Sequence, residues 1–209
     1  MKAGLGDLKT KVGVLGGTFD PVHNGHLMVA EEARVRLGLA EVLFVPAGRP
    51  WLKESRLVLA AKHRVHMVSL AVAAYPYFKL STVEVDRAGP SYSVDTIEEL
   101  QARLGGSVEL YFILGQDNLA EMPEWREPAR LVTMCHLVAV PRPGYSLPAP
   151  DSLEAAIPGL LKKLILLPQP EVDIDATEIR QRVARGQTID HLVPKPVAAY
   201  IKQYGIYLK

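Results

Sequence analysis

The sequence is poor in cysteine, in charge of one sign and in long apolar runs, and each shortage excludes a class of protein. Its one cysteine, Cys135, cannot form an internal disulfide, and its apolar neighbours over residues 131–140 predict a buried, unreactive thiol. Because 24 Lys and Arg are balanced by 23 Asp and Glu, the net charge is +1. This balance excludes the broad basic surface of a general nucleic-acid binder, but not a local pocket for one anionic ligand.

No apolar run approaches the roughly 18 residues that a membrane-spanning helix requires. Residues 1–11 contain no continuous hydrophobic segment of signal-peptide length, so we expect a soluble cytoplasmic protein without a membrane partner. The chain does contain 48% hydrophobic and 22% charged residues in a length of 209, which is typical of a globular protein. We expect one domain with its core over about residues 12–207, and two small domains stay open as an alternative.

Short apolar runs alternate with longer amphipathic stretches, and each change of pattern predicts an element. Strands are predicted at residues 12–15, 42–45, 78–85, 108–114, 136–140 and 164–167. Helices are predicted at residues 26–37, 59–74 and 94–104, after Asp117, and at residues 176–185 and 196–204. Gly38 is the expected stop of the first helix, Ser93 the expected N-cap of the third, and proline-rich residues 141–150 an expected loop. The alternation predicts an α/β, Rossmann-like, doubly wound parallel sheet with helices on both faces and C-terminal helices.

The stretch GGTFDPVHNGH at residues 16–26 lies where the first strand passes into the first helix. Ligands of an open α/β sheet bind beyond the carboxyl ends of its strands, and adjacent glycines let a phosphate approach the backbone. The following helix start offers free N–H groups, and His23 and His26 can donate hydrogen bonds to the same ligand.

Four other interpretations of this stretch are possible. It lacks both the Gly-x-Gly-x-x-Gly dinucleotide fingerprint and the Gly-Lys-Ser or Gly-Lys-Thr end of a P-loop. A zinc pair at His23 and His26 would lack an evident third ligand. A plain glycine-rich turn capped by two histidines is the remaining alternative, and the length of the string argues against it.

A second stretch, DATEIR at residues 175–180, follows the last predicted strand and opens a helix. It combines free helix N–H groups, a threonine hydroxyl and a guanidinium that can grip a phosphate in two places. Asp175 and Glu178 have the spacing of a capping box, and we expect Asp175 to cap the helix because its charge would repel phosphate. An ordinary capped helix is the alternative for this stretch alone.

Together the two stretches resemble the nucleotidyltransferase superfamily with the His-x-x-His signature. Its members transfer a nucleoside monophosphate from a nucleoside triphosphate to an acceptor phosphate. The second stretch departs from the superfamily's usual pattern by having Asp175 where serine is common. The first stretch alone would fit several sister enzymes, including phosphopantetheine adenylyltransferases.

Three further stretches make the chain most similar to bacterial nicotinate-nucleotide adenylyltransferases. Residues 113–117, ILGQD, resemble the family's strand-end Gly-x-Asp, and Trp125 follows eight residues after the aspartate. Residues 91–96, SYSVDT, resemble its Ser-Tyr-Thr-x-Asp-Thr string, with Ser93 in place of threonine. Residues 50–53, PWLK, align Lys53 with the family's Pro-Pro-His-Lys loop but lack the histidine, so a solvated surface lysine is an equal alternative. Trp125 taken alone would more often be a core residue.

The resemblance implies the residues of the site. His23, His26 and Arg180 would be the catalytic residues. ATP would be bound by Gly16, Gly17, Thr18, Phe19, Gly25, Lys53, Gly115, Asp117, Thr177, Ile179 and Arg180. Nicotinate mononucleotide would be bound by Thr18, Tyr92, Ser93 and Trp125.

The implied reaction joins AMP from ATP to nicotinate mononucleotide, giving nicotinate adenine dinucleotide and pyrophosphate in NAD biosynthesis. Mg²⁺ would be bound mainly through the ATP phosphates, with no dedicated protein ligands. An adenylyltransferase for nicotinamide mononucleotide or another phosphorylated acceptor stays open, as does a non-catalytic nucleotide sensor. A homo-oligomer also stays open, and no nucleic-acid partner is expected because no basic cluster is interleaved with aromatics.

Overall fold

The computed structural model describes residues 9–50, 58–141, 148–168 and 174–208. Its strands are β1 Thr10–Gly17, β2 Glu41–Pro46, β3 Phe78–Leu80, β4 Val108–Gly115, β5 His136–Val140 and β6 Leu164–Leu166. Its helices are α1 Asn24–Leu37, α2 Ala61–Val72, α3 Val83–Asp86, α4 Ser93–Leu104, α5 Asp117–Glu121, α6 Pro128–Met134, α7 Pro150–Ala156, α8 Leu160–Lys163, α9 Ala176–Ala184 and α10 Lys195–Gln203. A 3₁₀ turn at Met122–Glu124 follows α5.

The six strands form one sheet in the order β3-β2-β1-β4-β5-β6, and every neighbouring pair is parallel. Side chains alternate between its faces, so Leu15 packs with α1, α2 and α10 while Val14 packs with α4, α6 and α7. Val14 is fully buried because helices cover both faces, as in doubly wound folds. The predicted fold class is confirmed.

Several predicted boundaries are confirmed as well. The first helix ends at Leu37, and Gly38 takes the left-handed conformation at its C-cap, with φ 64°. Both C-terminal helices lie within one residue of their predicted ends. Cys135 is buried, and burial raises the pKa of its thiol to about 12, as expected for an unreactive side chain. Among the described residues, no helix is both long enough and apolar enough to cross a membrane.

The strand predicted at residues 78–85 is wrong in its second half. β3 ends at Leu80, which pairs with Phe44, and residues 83–86 form the short helix α3. The ladder cannot be extended because β2 ends in Pro46, which has no N–H to donate. Val83 then reaches the core through a helical turn rather than through alternation along a strand.

Two further predictions need correction. Ser93 is the first residue of α4, not its N-cap, because the Tyr92 carbonyl accepts the first helical hydrogen bond, from the Thr96 N–H at 3.1 Å. The proline-rich stretch at residues 141–150 lies largely outside the described residues, and its last residue, Pro150, begins α7. Proline at the first helical position fits because the N–H there has no helical partner. The sequence patterns predicted neither α7 nor α8.

Candidate active site

The candidate site lies where β1 and β4 end side by side at the centre of the sheet. From this pair the strand order runs towards opposite edges, through β2 and β3 on one side and β5 and β6 on the other. This is the topological switch point, where open α/β sheets bind their ligands. Gly17 ends β1 and Gly115 ends β4, so both predicted glycine motifs open on this crevice.

The first motif is held by a buried phenylalanine. Phe19 has a left-handed backbone, with φ 51°, and its side chain is 2% exposed. The Phe19 ring lies so close to Gly17 that a Cβ on this glycine would be 3.2 Å from it. The same ring forms a T-shaped pair with the His26 ring, with 4.9 Å between their centroids. Phe19 thus acts through packing, because it fixes the backbone of Gly17 and one face of His26.

His23 and His26 lie against each other at the start of α1. Their rings stack with centroids 3.6 Å apart, and His23 occupies the N-cap position. The His23 backbone N–H donates to Nδ1 of His26 at 3.2 Å. Because Nδ1 accepts this hydrogen bond, the neutral ring carries its proton on Nε2.

The second motif meets the first directly. Arg180 on α9 donates from Nη1 to the Asp20 carbonyl at 2.7 Å and from Nη2 to the Thr177 hydroxyl at 3.2 Å. A Cβ on Gly25 would lie 3.6 Å from Cβ of Ile174, just before α9. The tertiary fold therefore brings together two helix starts that are separated by about 150 residues.

The predicted cap of α9 is only partly as expected. The Asp175 carboxylate accepts a hydrogen bond from the Thr177 backbone N–H, so it caps the helix as predicted. Glu178, however, pairs with Arg182 at 2.8 Å, one turn further along α9, instead of reaching back to close a capping box. Ile179, predicted near ATP, is fully buried in the core beneath the helix.

A buried polar group that the sequence did not reveal supports the first motif. The Asp20 carboxylate accepts hydrogen bonds from the Tyr207 hydroxyl at 2.6 Å and from the Leu59 N–H at 3.2 Å. Burial and the nearby Asp20 charge raise the pKa of Tyr207, so its hydroxyl stays a donor. Arg64, 1% exposed, donates to the Thr18 carbonyl at 2.8 Å.

Arg64 could have been found from its spacing. Burial lowers the pKa of its guanidinium, and the charges of Asp20 and Glu84 oppose that shift. Arg64 precedes buried Met67, Val68 and Ala71 at the i+3, i+4 and i+7 spacing of one helix face. An arginine at such a position points into the core and must therefore find polar partners there.

Two of the residues predicted to bind nicotinate mononucleotide, Tyr92 and Trp125, lie against the core on the α4 side of the sheet. Tyr92 lies under the Arg126 guanidinium, 4.9 Å from its ring centroid. Trp125, the residue before Arg126, meets the Phe112 ring edge-on, with 6.3 Å between the ring centroids. The Phe112 ring would itself lie 3.5 Å from a Cβ on Gly16. The indole N–H of Trp125 is buried and has no hydrogen-bond partner among the described residues.

The residues predicted to bind ATP also include Asp117 and Lys53. Asp117 starts α5, and its carboxylate lies so close to Gly115 that a Cβ there would be 2.3 Å from Oδ1. Glycine is therefore required for this carboxylate to fold back over the end of β4. Lys53 lies outside the described residues.

Comparison with known proteins places the chain in a family. Residues 14–182 match the family model described as cytidylyltransferase-like, and the chain belongs to that family. It is 47% identical to a probable nicotinate-nucleotide adenylyltransferase of Dehalococcoides mccartyi strain ATCC BAA-2266, over 94% of this chain and 97% of the relative. It is 45% identical to a protein of the same name from Roseiflexus sp. strain RS-1, over 94% and 97%.

Solved structures agree on the fold. A Plasmodium falciparum nicotinic acid mononucleotide adenylyltransferase complexed with NaAD superimposes with a TM-score of 0.77 and 20% identity, covering 95% of this chain and 97% of that one. The same enzyme complexed with APC gives a TM-score of 0.75 at 19% identity, with the same coverage. At these identities the likeness establishes the fold alone.

Proposed function

We propose that this protein transfers the AMP moiety of ATP to the phosphate of nicotinate mononucleotide, giving nicotinate adenine dinucleotide and pyrophosphate in NAD biosynthesis. The main observation that supports this reaction type is the pair of hydrogen bonds from the Arg180 guanidinium to the Asp20 carbonyl and the Thr177 hydroxyl. These bonds join the start of α9 to the motif between β1 and α1. Two helix starts, each with a positive dipole end, then face one crevice. The relatives at 45–47% identity, which align over nearly the whole chain, support the choice of acceptor.

The donors in the crevice suit a triphosphate. The imidazoles of His23 and His26, the Thr177 hydroxyl and the Arg180 guanidinium offer N–H and O–H groups that can donate hydrogen bonds to phosphate oxygens. Among the described residues, no group of three or more His, Cys, Asp and Glu could hold a metal ion. ATP would therefore enter as its Mg²⁺ complex, with the ion bound by phosphate oxygens and water.

The chemistry requires no protein nucleophile. The phosphate of nicotinate mononucleotide has a second pKa near 6, so at neutral pH it is largely a dianion and needs no general base. One of its oxygens attacks the α-phosphorus of ATP in line, a new P–O bond forms, and the bond to the α,β-bridging oxygen breaks. Pyrophosphate leaves with the electron pair of that bond. Catalysis then consists of positioning and of neutralising charge.

Each part of the crevice has a task in this reaction. The Nε2–H of His26 donates to the α-phosphate, and Arg180 with Thr177 holds the β- and γ-phosphates that leave. The backbone of Gly16 and Gly17 and the Thr18 hydroxyl contact phosphate oxygens between donor and acceptor. A planar guanidinium suits the leaving group because it can bind two phosphate oxygens at once.

The acceptor would lie on the α4 side. The backbone N–H groups of Tyr92 and Ser93, at the start of α4, would donate hydrogen bonds to the nicotinate carboxylate, and Trp125 would stack on the pyridine ring. A neutral carboxamide would lose this attraction to the helix start. The pocket therefore favours nicotinate over nicotinamide mononucleotide.

Pyrophosphate release tests this proposal. The purified protein is given Mg²⁺–ATP with equal concentrations of nicotinate mononucleotide, nicotinamide mononucleotide or no acceptor, and we expect fast release with the acid only. Equal rates with acid and amide would keep adenylyl transfer but contradict the role of Tyr92 and Ser93. If the protein binds ATP but releases no pyrophosphate with either acceptor, the proposed function would be contradicted and a nucleotide sensor favoured.

A further inference from the structure

Residues 47–49, directly after β2, form a bridging segment that is hydrogen-bonded to the first motif. The Ala47 N–H donates to the Gly17 carbonyl at 2.8 Å. Arg64 donates from Nη1 to the Thr18 carbonyl at 2.8 Å and from Nη2 to the Gly48 carbonyl at 3.3 Å. One buried guanidinium thus ties the phosphate-binding turn to the bridging segment.

The same segment is bound on its other side to the acceptor string. The Ser91 hydroxyl accepts hydrogen bonds from the Gly48 N–H at 2.9 Å and from the Arg49 N–H at 3.2 Å. The Ser91 N–H donates back to the Arg49 carbonyl at 2.9 Å. Ser91 immediately precedes Tyr92 and Ser93, the residues proposed to bind the nicotinate carboxylate.

Close packing prevents the bridging segment from moving independently. A Cβ on Gly48 would lie 2.1 Å from the Glu84 carbonyl oxygen, so the backbone of the segment rests directly on α3. The Glu84 side chain is 8% exposed and accepts a hydrogen bond from the Thr96 hydroxyl at 2.7 Å. Burial raises the pKa of the Glu84 carboxyl, and the hydrogen bonds from Thr96 and Ser91 partly offset this rise. Because protein interiors are close-packed, a shift on one side of the segment is passed to the other.

We infer that the bridging segment couples the two substrate half-sites, with Arg64 and Ser91 as the positioning residues of this coupling. A shift of the Thr18 carbonyl when ATP binds moves the rigid guanidinium of Arg64 and, through it, the Gly48 carbonyl. The Gly48 and Arg49 N–H groups then reposition the Ser91 hydroxyl and the start of α4. ATP therefore tightens binding of the acceptor, and the acceptor tightens binding of ATP by the same factor.

The inference rests on the proposed function, and calorimetry can test both. Wild-type pyrophosphate release is measured first. Nicotinate mononucleotide is then titrated into protein with and without saturating α,β-methylene-ATP, in which the scissile bond cannot break. The ratio of the two dissociation constants is the coupling factor, and we expect about 10 in the wild type, within the usual range of allosteric coupling.

Three variants make the ratio diagnostic. Ser91→Ala removes the acceptor for two N–H groups, and Arg64→Lys keeps the charge but cannot bridge two carbonyls, so each should bring the coupling factor to within about two-fold of 1. Ser69→Ala, an exposed serine on α2, is the matched control and should keep the wild-type ratio. The ratio compares two titrations of the same folded protein, so a general loss of stability or affinity does not move it.

The outcomes separate the two claims. No pyrophosphate release by the wild type contradicts the proposed function. Normal release with a wild-type coupling factor near 1 contradicts the inference alone. An unchanged coupling factor in Ser91→Ala also contradicts the inference alone, even if Arg64→Lys fails to fold.

Discussion

Arg180 donates through one nitrogen of its guanidinium to the Asp20 carbonyl and through another to the Thr177 hydroxyl. His26 is held as firmly, since its Nδ1 accepts the His23 N–H and its ring packs against Phe19. These contacts fix both side chains before any ligand arrives. Side chains that are already oriented lose little entropy on binding and can stabilise charge in the transition state at low cost.

At the residue scale, His26→Ala and Arg180→Ala should each lower turnover by about 100-fold or more, the usual loss for one positioned transition-state donor. Arg185→Ala is the matched control, because Arg185 is exposed just beyond the same helix and should leave turnover unchanged. Steady-state pyrophosphate release checks the prediction. Normal rates in both folded site variants would show that the two motifs do not form the catalytic site.

Residue patterns predicted some of this constellation and not the rest. His23, His26, Thr177 and Arg180 were predicted because each lies in a short string next to a strand end or helix start. The structure shows Arg180 in contact with Asp20 of the first motif, while the roles of these four side chains stay proposals. The supporting partners of Asp20 and Arg64 are backbone groups and a tyrosine far away in sequence. A carbonyl or N–H group has no sequence signature, so no string could reveal them.

At the element scale, two glycines at strand ends should respond differently to substitution. Gly48→Ala would place a Cβ 2.1 Å from the Glu84 backbone oxygen, which cannot rotate away, so unfolding free energy should fall by about 3 kcal/mol. In Gly115→Ala the obstacle is the Asp117 carboxylate, which can turn aside. Stability should then fall by less than about 1 kcal/mol, while ATP binding weakens.

Urea unfolding followed by far-UV circular dichroism measures both losses, and calorimetry measures ATP binding. Each variant serves as the control for the other, because both add one methyl group, at the end of β4 or two residues beyond β2. A wild-type urea midpoint for Gly48→Ala would mean that α3 does not rest on the bridging segment. Unchanged ATP affinity in Gly115→Ala would remove Asp117 from the proposed nucleotide site.

Element boundaries were predicted where one local cause decides them. Gly38 ends α1 because glycine takes the left-handed conformation without strain, and this is readable from the sequence. The end of β3 depends on Pro46 in the neighbouring strand, and the register that brings them together exists only in the sheet. Residues 83–86 were therefore predicted as strand and are helix.

On the scale of the whole molecule, the C-terminus closes onto the first motif. Tyr207 donates to the Asp20 carboxylate across 187 residues of sequence. A buried hydrogen bond to a charged group contributes about 1.5–3 kcal/mol, so Tyr207→Phe should lower the unfolding free energy by about 2 kcal/mol. Tyr204→Phe, at a side chain that is 56% exposed, is the control and should change it by less than about 0.5 kcal/mol.

Equilibrium urea unfolding at pH 7 distinguishes the two tyrosine variants. The predicted difference would appear as a lower midpoint for Tyr207→Phe with an unchanged slope, since both variants expose similar surface on unfolding. Equal midpoints would mean that the C-terminus contributes no net stability through Asp20.

Local patterns in the sequence were enough to predict the fold class, most of the strands and helices, and the two motifs that the structure places side by side. Hydrophobic periodicity and short glycine- and histidine-containing strings are local properties, and they act within one strand, helix or turn. Only tertiary contacts bring Arg180 to Asp20, let buried Arg64 donate to two carbonyls, and place residues 47–49 between the first motif and Ser91. The partners in these contacts are mostly backbone groups, whose positions are set by strand register and helix packing.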